Sequence, residues 1–203
     1  MEIKDTYRTI SKASEEVLFK DRKSKFFGYA FPIESEEAVK DHIDRLRKQH
    51  PTANHVCYAW QIGTSTISYR ANDDGEPNNS AGMPIYGQIQ SFQLTNILVA
   101  IVRIFGGTKL GVGGLINAYR NAAKMVLESS TTVERILKEH FFIKFDYDQM
   151  NTVMRFIKKY DLILHSQDLG LHCEMEIAVR KRDLEHIKES LNALHKVKVS
   201  FRK

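Results

Sequence analysis

Apolar positions in the last third of the chain switch between a period of two and a period near 3.6, and the switches mark its elements. "HFFIKFDY" alternates, setting Phe141, Ile143, Phe145 and Tyr147 on one side of a strand. "DQMNTVMRFIKKY" carries Met150, Val153, Met154 and Ile157 at helical spacing, with Asp148 as N-cap. "DLILHSQ" reads as a strand and "DLG" as a turn. "LHCEMEIAV" alternates, with Leu171, Cys173, Met175, Ile177 and Val179 inward and His172, Glu174 and Glu176 outward. "RDLEHIKESLNAL" is a helix burying Leu184, Ile187, Leu191 and Leu194, and "KVKVSFR" closes with Val197, Val199 and Phe201 inward. The order is β-α-β-β-α-β, the ferredoxin-like arrangement. RNA-recognition motifs share this topology but stack bases on exposed aromatics. Here the outward positions hold Glu174, Glu176, Lys196, Lys198 and Arg202, with Phe142 the one aromatic among them, so a solvated polar face is expected.

The first half mixes strands and helices in another order. "EVLFKDRKSKFFGYAFPI" predicts two strands around a charged turn. "SEEAVKDHIDRLRKQH" predicts a helix capped by Ser35, stopped before Pro51, and burying Val39, Ile43 and Leu46. "NHVCYAWQIGTSTISYRAND" reads as a hairpin turning at Gly63. "SAGMPIYGQIQSF" suits a short helix. "LTNILVAIVRIF" is apolar without alternation, as in a central strand covered on both faces. "GLINAYRNAAKMVLE" is a helix with Leu115, Ala118, Tyr119, Ala122 and Val126 on one side.

Composition places a boundary between these halves. All 4 prolines, and every glycine of the 11 except Gly170, precede residue 115. The fold class is therefore α+β in two domains, a mixed-sheet domain over 1–132 and a ferredoxin-like domain over 138–203, with the linker near 130–137. The 203 residues suffice for two cores. The polar start lacks the apolar stretch of a secretory signal, and "ILVAIV" is far short of the ~20 residues of a membrane span. With Cys57 and Cys173 read as buried free thiols, a cytoplasmic protein without membrane contact is expected. The net charge of +5 permits a nucleic-acid partner without requiring one.

Two loops carry candidate chemistry. "RIFGGTKLGVGGLINAYR" joins the apolar strand to the helix and holds Gly106, Gly107, Gly111, Gly113 and Gly114, with Arg103, Lys109 and Arg120 around them. Strand, glycine loop and helix is the geometry that offers backbone N–H groups to an anion. It is not a P-loop, since Val112 and Gly113 replace the Lys and hydroxyl residue, nor a dinucleotide fingerprint, since Ile116 takes the third glycine's place. Two readings stay open: an anion nest beside Lys109, or turns of positive φ with a close backbone crossing. The second loop, "NDDGEPNNSAG", holds Asp73, Asp74 and Glu76. These carboxylates suit either Mg2+ or a turn that caps the next helix and pairs with a cation such as Arg103. His55 opens a strand and reads as structural. No histidine or cysteine spacing indicates zinc, and no residue is singled out as catalytic.

"HVCYAWQIG", "DDGEP", "SAGMPI" and "RIFGGTKLGVGGLINAYR" together resemble the Impact family, whose bacterial members include the YigZ-like proteins. The matching motif residues are His55, Asp73, Asp74, Glu76, Arg103, Phe105, Gly106, Gly107, Leu110, Gly111, Gly114 and Tyr119. The resemblance implies an N-terminal fold like the C-terminal domain of a small-subunit ribosomal protein. It implies a C-terminal fold like the last domain of elongation factor G. Eukaryotic members regulate translation by competing for the activator of a starvation-responsive kinase and carry an extra N-terminal partner-binding domain; no such domain is expected here, so that mechanism is not expected to transfer. No established catalytic residue or cofactor accompanies the bacterial members. The chain departs from the family pattern at Asn78, Asn79, Met83 and Ile104.

Three functions follow, in order. The first is a translation-associated regulatory protein contacting RNA or the ribosome through the glycine-loop face, without DNA sequence specificity. The second is an enzyme binding a phosphorylated small molecule or nucleotide, the one case that calls for a cofactor, Mg2+ held by the acidic loop. The third is a protein-interaction module using the ferredoxin-like sheet.

Overall fold

The computed structural model describes residues 5–194 and 196–201, the last by its backbone alone. Tyr7–Arg135 form one compact unit. Asp5 and Thr6 join the residues from Ile136 onward in the other.

In the first unit, β2 (Val17–Asp21), β3 (Ser24–Pro32), β4 (His55–Ile62), β5 (Ser68–Asn72) and β6 (Ile97–Ile104) form a sheet in the order β2-β3-β6-β4-β5. Every neighbouring pair is antiparallel. β6 lies at the centre, as its unbroken apolar run requires. Its alternate side chains feed two cores. Ile97, Val99 and Ile101 pack with residues of α2 (Gly82–Ser91) and α3 (Gly111–Ser129), whereas Leu98, Ala100 and Val102 pack with α1 (Glu36–Gln49) through Val39, Ile43 and Leu46. The expected hairpin turn is in place, with Gly63 at φ +100°. Arg22 and Lys23 link β2 to β3 with φ values of 41° and 69°, the geometry of a two-residue type I′ turn without its usual Asn-Gly.

In the second unit, β8 (Lys138–Asp146), α4 (Met150–Lys159), β9 (Ile163–Leu169), β10 (His172–Arg180), α5 (Leu184–Asn192) and β11 (Val197–Phe201) follow the expected β-α-β-β-α-β order. The sheet order is β11-β8-β10-β9, antiparallel throughout. Phe141, Ile143, Phe145, Cys173, Met175, Ile177 and Val179 form its buried face against Val153, Phe156, Ile157, Ile187 and Leu191. On the open face Lys144 pairs with Glu174 and His140 with Glu176.

Several expectations need correction. The segment read as a linker contains β7 (Thr132–Ile136), which pairs with β1 (Thr6–Ile10) from the polar start of the chain. Tyr147 leaves the core because a 3-10 turn over Tyr147–Gln149 ends the alternation. That turn also puts Gln149, not Asp148, at the N-cap of α4, and Phe156 rather than Met154 on its buried face. Leu171 sits in the β9–β10 turn and is 89% exposed. The inward reading of Phe201 and the outward one of Arg202 concern side chains outside the described residues. No helix of the described residues is long and apolar enough to cross a membrane.

Candidate functional site: a cleft at the start of α3

Asp73 and Asp74 serve the fold. The Asp73 carboxylate accepts the amides of Asn79, Ala81 and Gly82 at 2.8–2.9 Å and so closes the start of α2. Asp74, at φ 43° beside Gly75 at φ 88°, accepts the Val56 amide and an Arg47 N–H, both at 2.6 Å. Asn79 takes a φ of 60°, which asparagine tolerates in place of glycine. Glu76 points inward. It accepts from Arg103 Nη1 at 2.6 Å and from the Tyr119 hydroxyl at 2.7 Å. The Arg103 and Glu76 side chains are 7% and 4% exposed. Beside them the Cys57 sulfur lies 3.1 Å from the Asp73 carbonyl oxygen and 3.3 Å from Tyr119 Oη, and its single proton serves one of the two at a time. Burial pushes both the Cys57 thiol and the Tyr119 phenol above their ordinary values, with the neighbouring acids adding to it.

All three carboxylates are thus taken up by the protein's own donors, as in the capping and pairing reading of this loop. Among the described residues no cluster of three or more His, Cys, Asp or Glu is arranged to hold a metal. The ligand set expected for Mg2+ is dispersed: Asp73 and Asp74 face the backbone segments they cap.

The glycine run divides in two. At its front, Phe105 N–H donates to Asn54 Oδ1 and Gly106 N–H to Ser24 Oγ. A Cβ on Gly106 would lie 2.0 Å from the Lys23 carbonyl carbon, so this glycine answers to a close backbone crossing. At its rear the helix begins earlier than its apolar pattern suggests, at Gly111, so Gly111, Gly113 and Gly114 belong to its first turn. Leu110 (φ −82°, ψ −25°) precedes Gly111 at φ +73°. At this helix start the N–H groups of Leu110, Gly111 and Val112 have no intrahelical acceptor. No side chain caps the helix, and no loop acceptor takes up these amides among the described residues.

The two loops meet. A cleft of about 430 Å³ is lined by His55, Glu76 and Arg103 together with Phe105, Lys109, Gly111 and Val112. Asn54, Pro77, Leu110 and Leu115 complete it; Pro77 and Leu110 lie in the motifs quoted from the sequence, whereas nothing there pointed to Asn54. His55 Nδ1 donates to the Asp74 carbonyl at 2.8 Å, which leaves Nε2 on the cleft side, 3.9 Å from Glu76. Arg103 lies 5.6 Å from the rings of Phe26 and Phe105, and its buried Nε has no hydrogen-bond partner among the described residues. Lys109 has no ion-pair partner among them either. Arg120 falls outside the cleft: it is exposed on α3 and bonds Asn117. Gly106, Gly107, Gly113 and Gly114 do not line it, nor do Asp73, Asp74 and Tyr119.

Residues 22–127 match the Impact N-terminal domain. The chain belongs to the Impact family. Family member YvyE of Bacillus subtilis is 29% identical over 93% of this chain and 87% of its own length. A Haemophilus influenzae member is 33% identical over 84% of each chain. The crystal structure of a hypothetical protein superposes with a TM-score of 0.74 at 22% identity, covering 99% of both chains, a likeness of fold. The family segment spans the acidic loop, the glycine run and the cleft, and it ends inside α3.

Proposed function

We propose that the protein is a translation-associated regulator that holds RNA, on its own or within the ribosome, by phosphate contacts at the glycine-loop face. Family membership carries the translational half of this reading. The other half rests on one observation: the Leu110–Gly111 amides open onto a cleft that also holds Lys109 and Arg103. A helix start with free N–H groups and an adjacent lysine attracts phosphate without reading sequence. Binding of labelled structured RNA is expected to weaken steeply with salt, roughly a thousandfold between 50 and 200 mM for six phosphate contacts. Lys109→Ala is expected to weaken binding equally across sequences and to lower the salt slope by about one. Absent or salt-independent binding in an anisotropy titration overturns the proposal.

A further inference from the structure

The cleft combines features that an RNA backbone alone does not call for. Its volume of about 430 Å³ falls within the range of small-ligand sites, roughly 300–1,000 Å³. A duplex cannot enter it, and one nucleotide can. Its lining combines two kinds of chemistry. Leu110, Gly111 and Val112 bring the first backbone amides of α3, with Lys109 before them in the chain. The side chains of Phe105, 42% exposed, and Val112, 52% exposed, add apolar surface. A half-exposed phenyl ring within reach of phosphate donors is a platform for a nucleobase.

A second observation is independent of the helix start. Arg103, 7% exposed, lines the same cleft with a buried Nε that no described residue satisfies. A buried donor left unpaired is a standing cost to the fold, and an acceptor brought by a ligand removes it. With Glu76 already neutralising Arg103, the lone charge of Lys109 and the positive end of α3 are matched by a single phosphate group rather than a polyphosphate.

We infer that the cleft is a nucleoside-monophosphate site. It takes one nucleotide unit, free or at the phosphorylated end of an RNA chain. The phosphate sits on the Leu110–Val112 amides and Lys109, the base lies against Phe105 and Val112, and an acceptor of the ligand meets Arg103 Nε. This rests on the reading of the glycine-loop face given above and specifies its ligand.

Calorimetry on the full chain tests it, with AMP and UMP set against adenosine, uridine and inorganic phosphate. Both monophosphates are expected to saturate one site, at least about tenfold tighter than the nucleosides or phosphate. Phe105→Ala is expected to weaken them roughly 5- to 150-fold. Val112→Asp sets a carboxylate at the helix start, where it favours the helix but repels phosphate, so binding is lost while the melting temperature does not fall. Monophosphates binding no better than inorganic phosphate, or full affinity in Val112→Asp, overturns the inference. Competition with RNA oligomers separates the sources and the two proposals. Displacement by a 5′-phosphorylated oligomer but not its 5′-hydroxyl form assigns the site to RNA ends. Mononucleotide binding with no oligomer binding keeps the site and sinks the RNA reading. Oligomer binding that mononucleotides neither match nor displace sinks this inference and leaves the RNA reading standing.

Discussion

Glu76 holds together the floor of the cleft, since Arg103 and Tyr119 both donate to it away from solvent. Removing one partner of such a pair strands the other charge. Glu76→Ala is expected to destabilise the first unit by about 3–5 kcal/mol, read as a shift in urea unfolding. The glycines separate by the same reasoning. Gly106→Ala drives a methyl into the Lys23 backbone and should leave little folded protein. Gly113→Ala meets open space on a helix and should raise stability by about 0.5–1 kcal/mol in thermal unfolding. The sequence showed these glycines as one run. It could not show which amides are already engaged, because the acceptors at Asn54 and Ser24 lie 51 and 82 residues away. The pairing of Arg103 with the acidic loop was legible, since a buried strand-end arginine needs a carboxylate. The positive φ of Gly111 was one of the two readings of the run; its place at the first turn of α3 was not legible.

Among the elements, those with long periodic faces or an unbroken apolar run were legible: α1, α3, α5 and β10 follow the first pattern and the central β6 the second. β1 and β7 escaped notice because "TYRTI" and "TVERI" mix polar and apolar positions without a clean alternation. Among the described residues they pair with each other, and Arg8 of β1 adds a single parallel bridge to Leu94. The start of α3 was read too late because glycine is a poor helix former, and packing of the following residues overrides that preference. The β2–β3 hairpin offers a test at this scale. Arg22 and Lys23 both adopt left-handed backbone, which costs about 1–2 kcal/mol per non-glycine residue. Replacing the pair by Asn-Gly should raise stability by about 1–2 kcal/mol, visible as a higher melting temperature.

For the molecule as a whole, pH is a lever on the first unit. Burial raises the Cys57 thiol and the Tyr29 and Tyr119 phenols above their ordinary values of 9.0 and 10.0. The folded chain keeps these protons where the unfolded chain would release them. Their contribution is therefore complete at neutral pH and is lost as pH climbs beyond about 9. Urea midpoints measured at pH about 7.5, 9 and 10.5 should fall progressively over the upper two. The β-α-β-β-α-β order of the second unit was legible from periodicity, but the strand order of the first and the membership of the chain's beginning were not. Asp5 accepts from Arg180, and its carbonyl accepts from Leu137 N–H. The polypeptide consequently passes from one body to the other twice, near Thr6 and again near Ile136. Nicking it at the later passage severs one tether of two. A piece excised from residue 138 onward begins without the acid that Arg180 grips, so binding assays on it would report a weakened body rather than a native one.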